Sequence, residues 1–278
     1  DYSGSRGLGD VYKRQSEVKA ELRTATQSLA ESYEVVIQRR LQSPGWVKCC
    51  VDAILVGNDG FREVYNSVWE NVVSKSETQS IRAYTIWVTK LQDNIPHGAV
   101  TKQRPEAAEL MQLYADAAVT KSQFYDQAMN DLLDECRLRG DGYAFKLSLP
   151  KGLKRTARII EKASLEFKSG NDVSGIKDVV RGMIVAQSMK HIIVIIQCLL
   201  QRDDIVIVRI KERFMKEPSS GGWRDLMVNV IFRKDIAQHI CEIQIVHEHM
   251  LSARKGLPGH VIYGRVRNAL ELLSKDRG

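Results

Sequence analysis

The stretch SSGGWRDLMVNVIFRKDIAQHICEIQIVH, residues 219–247, holds two apolar runs that alternate as strands do. In the second run Ile240, Glu242, Gln244 and Val246 fall on one face, and Cys241, Ile243 and Ile245 on the other. The all-apolar face belongs in a core. The other carries a carboxylate that is costly to bury unpaired, so Glu242 either pairs with a cation, Arg224 or Arg233 for example, or lines a cleft. Working outward, the runs 178–186 and 204–214 join 224–232 and 239–247 as further strands. MKHIIVIIQCLLQ, 189–201, sits between the first two as a crossover helix, and helices at about 247–255 and 260–274 close the chain. Strand, helix, strand and two neighbouring strands predict a mixed α/β sheet with flanking helices.

The pattern changes at GDGYAFKLSLP, residues 140–150. Upstream, helical spacing predicts helices over 16–43, 46–56, 61–75, 78–92, 105–119 and 121–138, with DNIPHGAVTKQRP as a loop. Trp46, Trp69, Trp87, Tyr114 and Phe124 read as packing residues of this helical region. The first fifteen residues have no periodicity and are read as an artefact or as disordered. The expected organisation is therefore 1–15, a helical region 16–140, and an α/β unit 141–278. The chain opens on Asp and stops at SKDRG, so both ends are treated as open and no targeting signal is assigned.

Of 278 residues, 44% are hydrophobic and 27% charged, as in a globular protein, and no apolar run approaches the ~18 residues of a membrane span. No membrane partner is expected. Cys49, Cys50, Cys136, Cys198 and Cys241 form no CxxC pair, which predicts reduced thiols and a cytoplasmic location. The net charge of +7 is uneven: 151–278 carries 23 Lys and Arg against 14 Asp and Glu, and the rest carries 18 against 20. The basic half suits an anionic partner, such as nucleotide phosphates or RNA.

Within KGLKRTARIIEKA, residues 151–163, Lys151, Lys154, Arg155, Arg158 and Lys162 fall on one stripe if the segment is helical, with Leu153, Ala157 and Ile160 opposite. The stripe is either a solvated basic face or a phosphate grip. Asp178 opens one strand and Glu242 lies inside another. A carboxylate from each, beside a basic segment, suits Mg²⁺, which takes one or two carboxylates plus phosphate oxygens; the competing reading is a structural ion pair. Trp223, after SSGG, either stacks on a base or covers the sheet end. The glycines form no P-loop, because the Lys-Ser/Thr signature is missing. His247 and His249 form HxH without a third ligand at firm spacing, so zinc is not expected. Cys241, on the apolar face, reads as core.

These segments, in order, resemble the synthetase domain of the RelA/SpoT family, makers of guanosine tetra- and pentaphosphate. KGLKRTARIIEKA is similar to the family's basic helix, and IKDVVRGMIV to its strand with a metal-binding Asp followed by an Arg, here Asp178 and Arg181. VRIKERFMKEPSSGGWRDLM is similar to the basic segment leading to a Gly-aromatic turn, and CEIQIVHEHM to the EIQI strand and the helix after it. The resemblance covers about 140–275 and implies a nucleotidyltransferase-like fold. It further implies Mg²⁺ on Asp178 and Glu242, with Glu242 completing the metal site or acting as base, and phosphate contacts from the basic helix, Arg181, Lys211 and Arg213. Trp223 would take the guanine-stacking place, with Arg224 and Gln244 beside it. The implied reaction moves pyrophosphate from ATP to the 3′-hydroxyl of GDP or GTP, by in-line placement and charge neutralisation.

The family turn Gly-Tyr-x-Ser-x-His is Gly222, Trp223, Arg224, Asp225, Leu226, Met227 here, and Val246 replaces the Arg that comes after EIQI. Asp225 would repel acceptor phosphates unless it binds metal or pairs with Arg224. Two other readings stay open: a nucleotide- or alarmone-binding sensor without turnover, and an RNA- or protein-interaction module using the basic face. The family's hydrolase domain is not expected, since 1–150 holds one histidine, His97.

Overall fold

The computed structural model describes residue 27 and residues 60–166, 172–216, 218–219 and 221–256. The expected helices over 16–43, 46–56 and 260–274, the leading 1–15, Trp46, Cys49, Cys50 and His260 lie outside the described residues, apart from residue 27, which is helical. Helix α1 (60–76) contains a π-turn at Trp69–Ser74. Beyond it come α2 (Thr78–Asp93), α3 (Leu110–Thr120), α4 (Asp126–Arg139), β1 (Phe145–Ser148), α5 (Thr156–Glu166), β2 (Arg181–Ala186), α6 (Met189–Leu200), β3 (Ile205–Glu212), β4 (Leu226–Phe232), β5 (Cys241–His247) and α7 (Glu248–Gly256). Among the described residues, no helix is long and apolar enough to cross a membrane.

The strands form one mixed sheet in the order β1-β2-β5-β4-β3. β2 and β5 run parallel, and every other neighbouring pair is antiparallel. The expected fold class therefore stands: a mixed sheet with flanking helices. β5 enters last and slots between β2 and β4, which buries Cys241, Ile243 and Ile245 as the alternation requires. β1 is an addition to the expected strands. It is a four-residue edge strand between a glycine-containing turn and Pro150, too short to show a period.

Two helical expectations change. Residues 105–119 do not form one helix: Pro105–Ala108 is a 3-10 turn, and Glu109 turns extended before α3 begins. At its far end α3 does not stop before α4, because the π-turn Lys121–Tyr125 joins them. The basic helix begins at Thr156, not at residue 151. Pro150 and Gly152 disfavour helix here, and the segment finds other partners: the Lys154 N–H donates to the Val179 carbonyl at 3.1 Å and the Tyr114 hydroxyl donates to the Lys154 carbonyl. Lys151, Lys154 and Arg155 therefore precede the helix that carries Arg158 and Lys162. Its buried face is Ile159, Ile160 and Ala163, and Ala157, expected in the core, is exposed.

One hydrophobic cluster runs from the helices into the sheet, joining Tyr84, Leu91 and Leu113 to Ile184, Phe214 and Ile245. Phe214 stacks on Trp69 at 5.6 Å and meets Tyr84 edge-on at 5.7 Å. The buried Glu212 carboxylate ends β3 by accepting the N–H groups of Phe214, Met215 and Lys216 and the Tyr84 hydroxyl. Val208, Ile231 and Ile240 form a smaller cluster with Ala99 of the 93–105 loop packed against it. Gln103 of that loop donates to the Ile176 and Ile240 carbonyls and accepts from the Ile240 N–H, tying the loop to the entry of β5.

Gly182 sits where a Cβ would lie 2.7 Å from Leu149 Cδ2 and 2.8 Å from the Tyr125 hydroxyl oxygen. Gly182→Ala is expected to cost roughly 1–3 kcal/mol, as overpacking does, read as a lower urea midpoint. A second expectation concerns His239, which is buried with neither ring nitrogen hydrogen-bonded. Burial pushes its pKa down to about 4, against the opposing fields of Asp116 and Asp235. The stabilisation of the neutral ring is complete above the unfolded value near 6.5 and is lost as pH falls through about 4. Chemical denaturation across that window should show a fall of up to roughly 3 kcal/mol, flattened in His239→Leu.

Candidate functional site

Asp178 lies in the turn ahead of β2 and is buried. Three cations converge on it: Lys154 Nζ at 2.6 Å from Oδ2, Lys162 Nζ at 3.2 Å from Oδ1, and an Arg181 guanidinium nitrogen at 3.8 Å from Oδ2. Lys154 comes from the extended segment, Lys162 from α5 and Arg181 from the first position of β2. Burial pushes the Asp178 carboxyl upward, but Lys162, Lys154 and Arg181 outweigh it and hold the group well below the usual carboxylate range. Burial lowers the Lys154 ammonium, and Asp178 opposes that shift.

Glu242 faces the same place from β5, where the parallel register sets it opposite Arg181 and the antiparallel register opposite Asn229. Its backbone is fixed on two sides: its N–H donates to the Val180 carbonyl at 2.9 Å, and its carbonyl accepts the Tyr125 hydroxyl at 2.6 Å. Its carboxylate has no hydrogen bond or ion pair among the described residues. Burial, then the negative fields of Asp178 and Asp225, push it up to about 7 against Lys162 and Arg181. The structural ion pair with Arg224 or Arg233 is not formed. Arg224 donates to the Phe214 carbonyl at 2.7 Å and lies over Trp69, and Arg233 donates to the Asp203 carbonyl. Neighbouring carboxyls pushed in opposite directions are the arrangement that separates acid–base roles.

Next along the same face, Gln244 donates to the fully buried Asp225 at 2.5 Å, and Arg213 binds the other Asp225 oxygen at 2.9 Å. The expected partner of Asp225, Arg224 or a metal, is thus corrected. Asp225 pairs with Arg213 and Gln244, two residues expected to contact nucleotide, because β4 and β5 set Gln244 opposite Met227 while Arg213 closes the turn after β3. Trp223 is also held by protein. It is 5% exposed, edge-on to Tyr65 at 5.3 Å, with the Arg254 guanidinium 5.0 Å above its ring. Gly222 beside it has φ 83° and a Cβ there would meet the Arg62 backbone at 2.9 Å, so the turn presses against α1. Covering the sheet end is the role seen for Trp223 here.

Lys151, Arg155 and Arg158 are exposed around the Asp178 cluster, and Lys211 lies on β3 opposite Met227. His247 is buried and bonded to Glu77 at 2.8 Å, and the other Glu77 oxygen accepts the first N–H of α6. Sequence spacing does not single out Tyr125. The π-turn shifts the helical frame at Lys121–Tyr125, which hides that its ring points toward β5.

The chain is similar in arrangement to solved structures of one class, the alarmone synthetases, the class its ordered motifs resemble. Small alarmone synthetase 1 from Bacillus subtilis is 18% identical, over 61% of this chain and 96% of that one, with a TM-score of 0.42. The same enzyme bound to its product pppGpp gives 19% identity, 61% and 95% coverage and 0.39. A GTP pyrophosphokinase family protein from Streptococcus pneumoniae gives 17%, 62% and 91%, and 0.40. No family model matches the chain, and no curated protein does.

The Glu242 geometry carries a prediction. A carboxyl raised from 4.5 to about 7 contributes stability that is complete below 4.5 and lost as pH rises through about 7. Glu242→Gln removes that loss. At pH 8 the variant should unfold at a higher temperature than the parent, by up to roughly 3 kcal/mol, with the gap closing by pH 4.5 in calorimetry.

Proposed function

We propose that the chain transfers pyrophosphate from ATP to the 3′-hydroxyl of GDP or GTP, with Asp178 and Glu242 at the reacting centre. The observation that carries this reading is the buried, unpartnered Glu242 carboxylate beside an Asp178 ringed by Lys154, Lys162 and Arg181. The ordered motifs of 140–275 support it. Among the described residues no three His, Cys, Asp or Glu side chains cluster to hold a metal. Asp178 and Glu242 would supply two carboxylates, which fits Mg²⁺ that also takes phosphate oxygens. When bound, that ion supplies charge neutralisation on the pyrophosphoryl group.

The protein's own residues do the rest. Lys154, Lys162 and Arg181 bind and orient the phosphates, with Arg158 at the exposed edge. Glu242, titrating near neutrality, takes the proton of the 3′-hydroxyl as its oxygen bonds to the β-phosphorus of ATP, while the bond from that phosphorus to the α,β-bridging oxygen breaks and AMP leaves. Tyr125 and Val180 hold the backbone of Glu242 while this happens. Free Cys136, Cys198 and Cys241 support a cytoplasmic setting.

A second reading, nucleotide binding without turnover, is favoured by one observation: Asp225 engages Arg213 and Gln244, and protein covers Trp223, on the side where an acceptor would sit. The deciding experiment incubates the full chain with Mg²⁺, labelled ATP and each of GDP, GTP and GMP, and resolves products by anion exchange. A more highly phosphorylated guanine nucleotide is expected, reduced at least ~100-fold in Asp178→Asn and Glu242→Gln. Absence of product together with saturable guanine-nucleotide binding in calorimetry would select the second reading.

A further inference from the structure

Both oxygens of Asp178 are taken by ammonium groups. Lys154 holds Oδ2 at 2.6 Å, Lys162 holds Oδ1 at 3.2 Å, and Arg181 adds a third positive charge. The Lys154–Asp178 pair is nearly dry, with side chains 9% and 12% exposed. A bare divalent cation approaching this carboxylate meets three like charges and must displace a buried ammonium that has nowhere better to go. It would also find few ligands, because among the described residues there is no cluster of three His, Cys, Asp or Glu, while Mg²⁺ needs six oxygens.

A polyphosphate changes both terms. Its oxygens offer the lysines a stronger partner and offer the metal the ligands that the protein lacks. The exchange needs only a side-chain swing. The Lys154 backbone is pinned at both ends, its N–H on Val179 and its carbonyl under the Tyr114 hydroxyl, whereas its four-carbon stem is free to turn.

Resting on the function proposed above, we infer that Lys154, seconded by Lys162, makes divalent-cation binding conditional on a polyphosphate. Without one, the ammonium holds Asp178; with one, the ammonium moves to the phosphates and the metal to the carboxylate. Lys154 is in this sense a specificity residue that selects a metal–nucleotide complex over free metal.

The test uses Mn²⁺ as the probe, followed on the full chain by electron paramagnetic resonance and water-proton relaxation, so that no turnover is needed. The parent should bind Mn²⁺ alone at least ~10-fold more weakly than Lys154→Met does. Lys154→Arg, which keeps the charge, should stay weak, and adding Asp178→Asn to Lys154→Met should abolish the gain. The α,β-methylene analogue of ATP should restore tight Mn²⁺ binding to the parent. Equal Mn²⁺ affinity of parent and Lys154→Met overturns the inference. If Lys154→Met fails to fold by circular dichroism, the more exposed Lys162→Met takes its place, with a gain of several-fold expected and no gain overturning the idea. Failure of the ATP analogue to bind under any condition would sink the nucleotide reading of the site. The comparison in Mn²⁺ alone would still decide whether Lys154 guards Asp178.

Discussion

The parallel pairing of β2 with β5 brings Glu242 level with Arg181, three residues past Asp178. In chain order the two acids are 64 residues apart (242 − 178), and no local structure could join them. β5 reaches its place because its apolar face must be buried on both sides, between β2 and β4. The helical layer serves this pairing. α3 and α4 deliver Tyr125 to the Glu242 carbonyl, and the 93–105 loop delivers Gln103 to the start of the strand.

Around that pairing the electrostatics divide the acids by environment. Asp178 is buried but surrounded by cations, so its charge is secure. Glu242 is buried among other negative charges, so its charge is costly. Asp225, the third acid on the same face, is neutralised by Arg213 and accepts a further hydrogen bond from Gln244. One face of the sheet thus runs from an ion-paired carboxylate, through an unpaired one, to a closed network.

Much of this was legible in the sequence wherever a period ran long enough. β3, β4, β5 and α6 announce themselves by alternation or by a long apolar run, and the placing of Glu242 and Gln244 on one face comes from period two alone. What the sequence hid was tertiary choice. Lys154 looks helical by spacing, yet its N–H bonds to Val179 because Gly152 and Pro150 leave the segment free to lie extended. Trp223 sits beside a glycine turn that suits a ligand, yet Tyr65 and Arg254 supply its partners from helices far along the chain. Asp225 found Arg213 and not its neighbour Arg224, because adjacent strand residues point to opposite faces. β1 is too short to carry a period at all.

The π-turn at Lys121–Tyr125 has a meaning for how such a chain tolerates length changes. A π-turn is an α-helix carrying one residue too many, and each residue added or removed rotates the remainder of the helix by about 100°. Loops on this molecule would absorb a deletion without consequence for the strands. A deletion of one residue in this turn would regularise the helix and swing the Tyr125 ring away from β5, leaving the Glu242 carbonyl without that donor. The helix between α3 and α4 is therefore a place where reading frame length, and not residue identity, is under constraint.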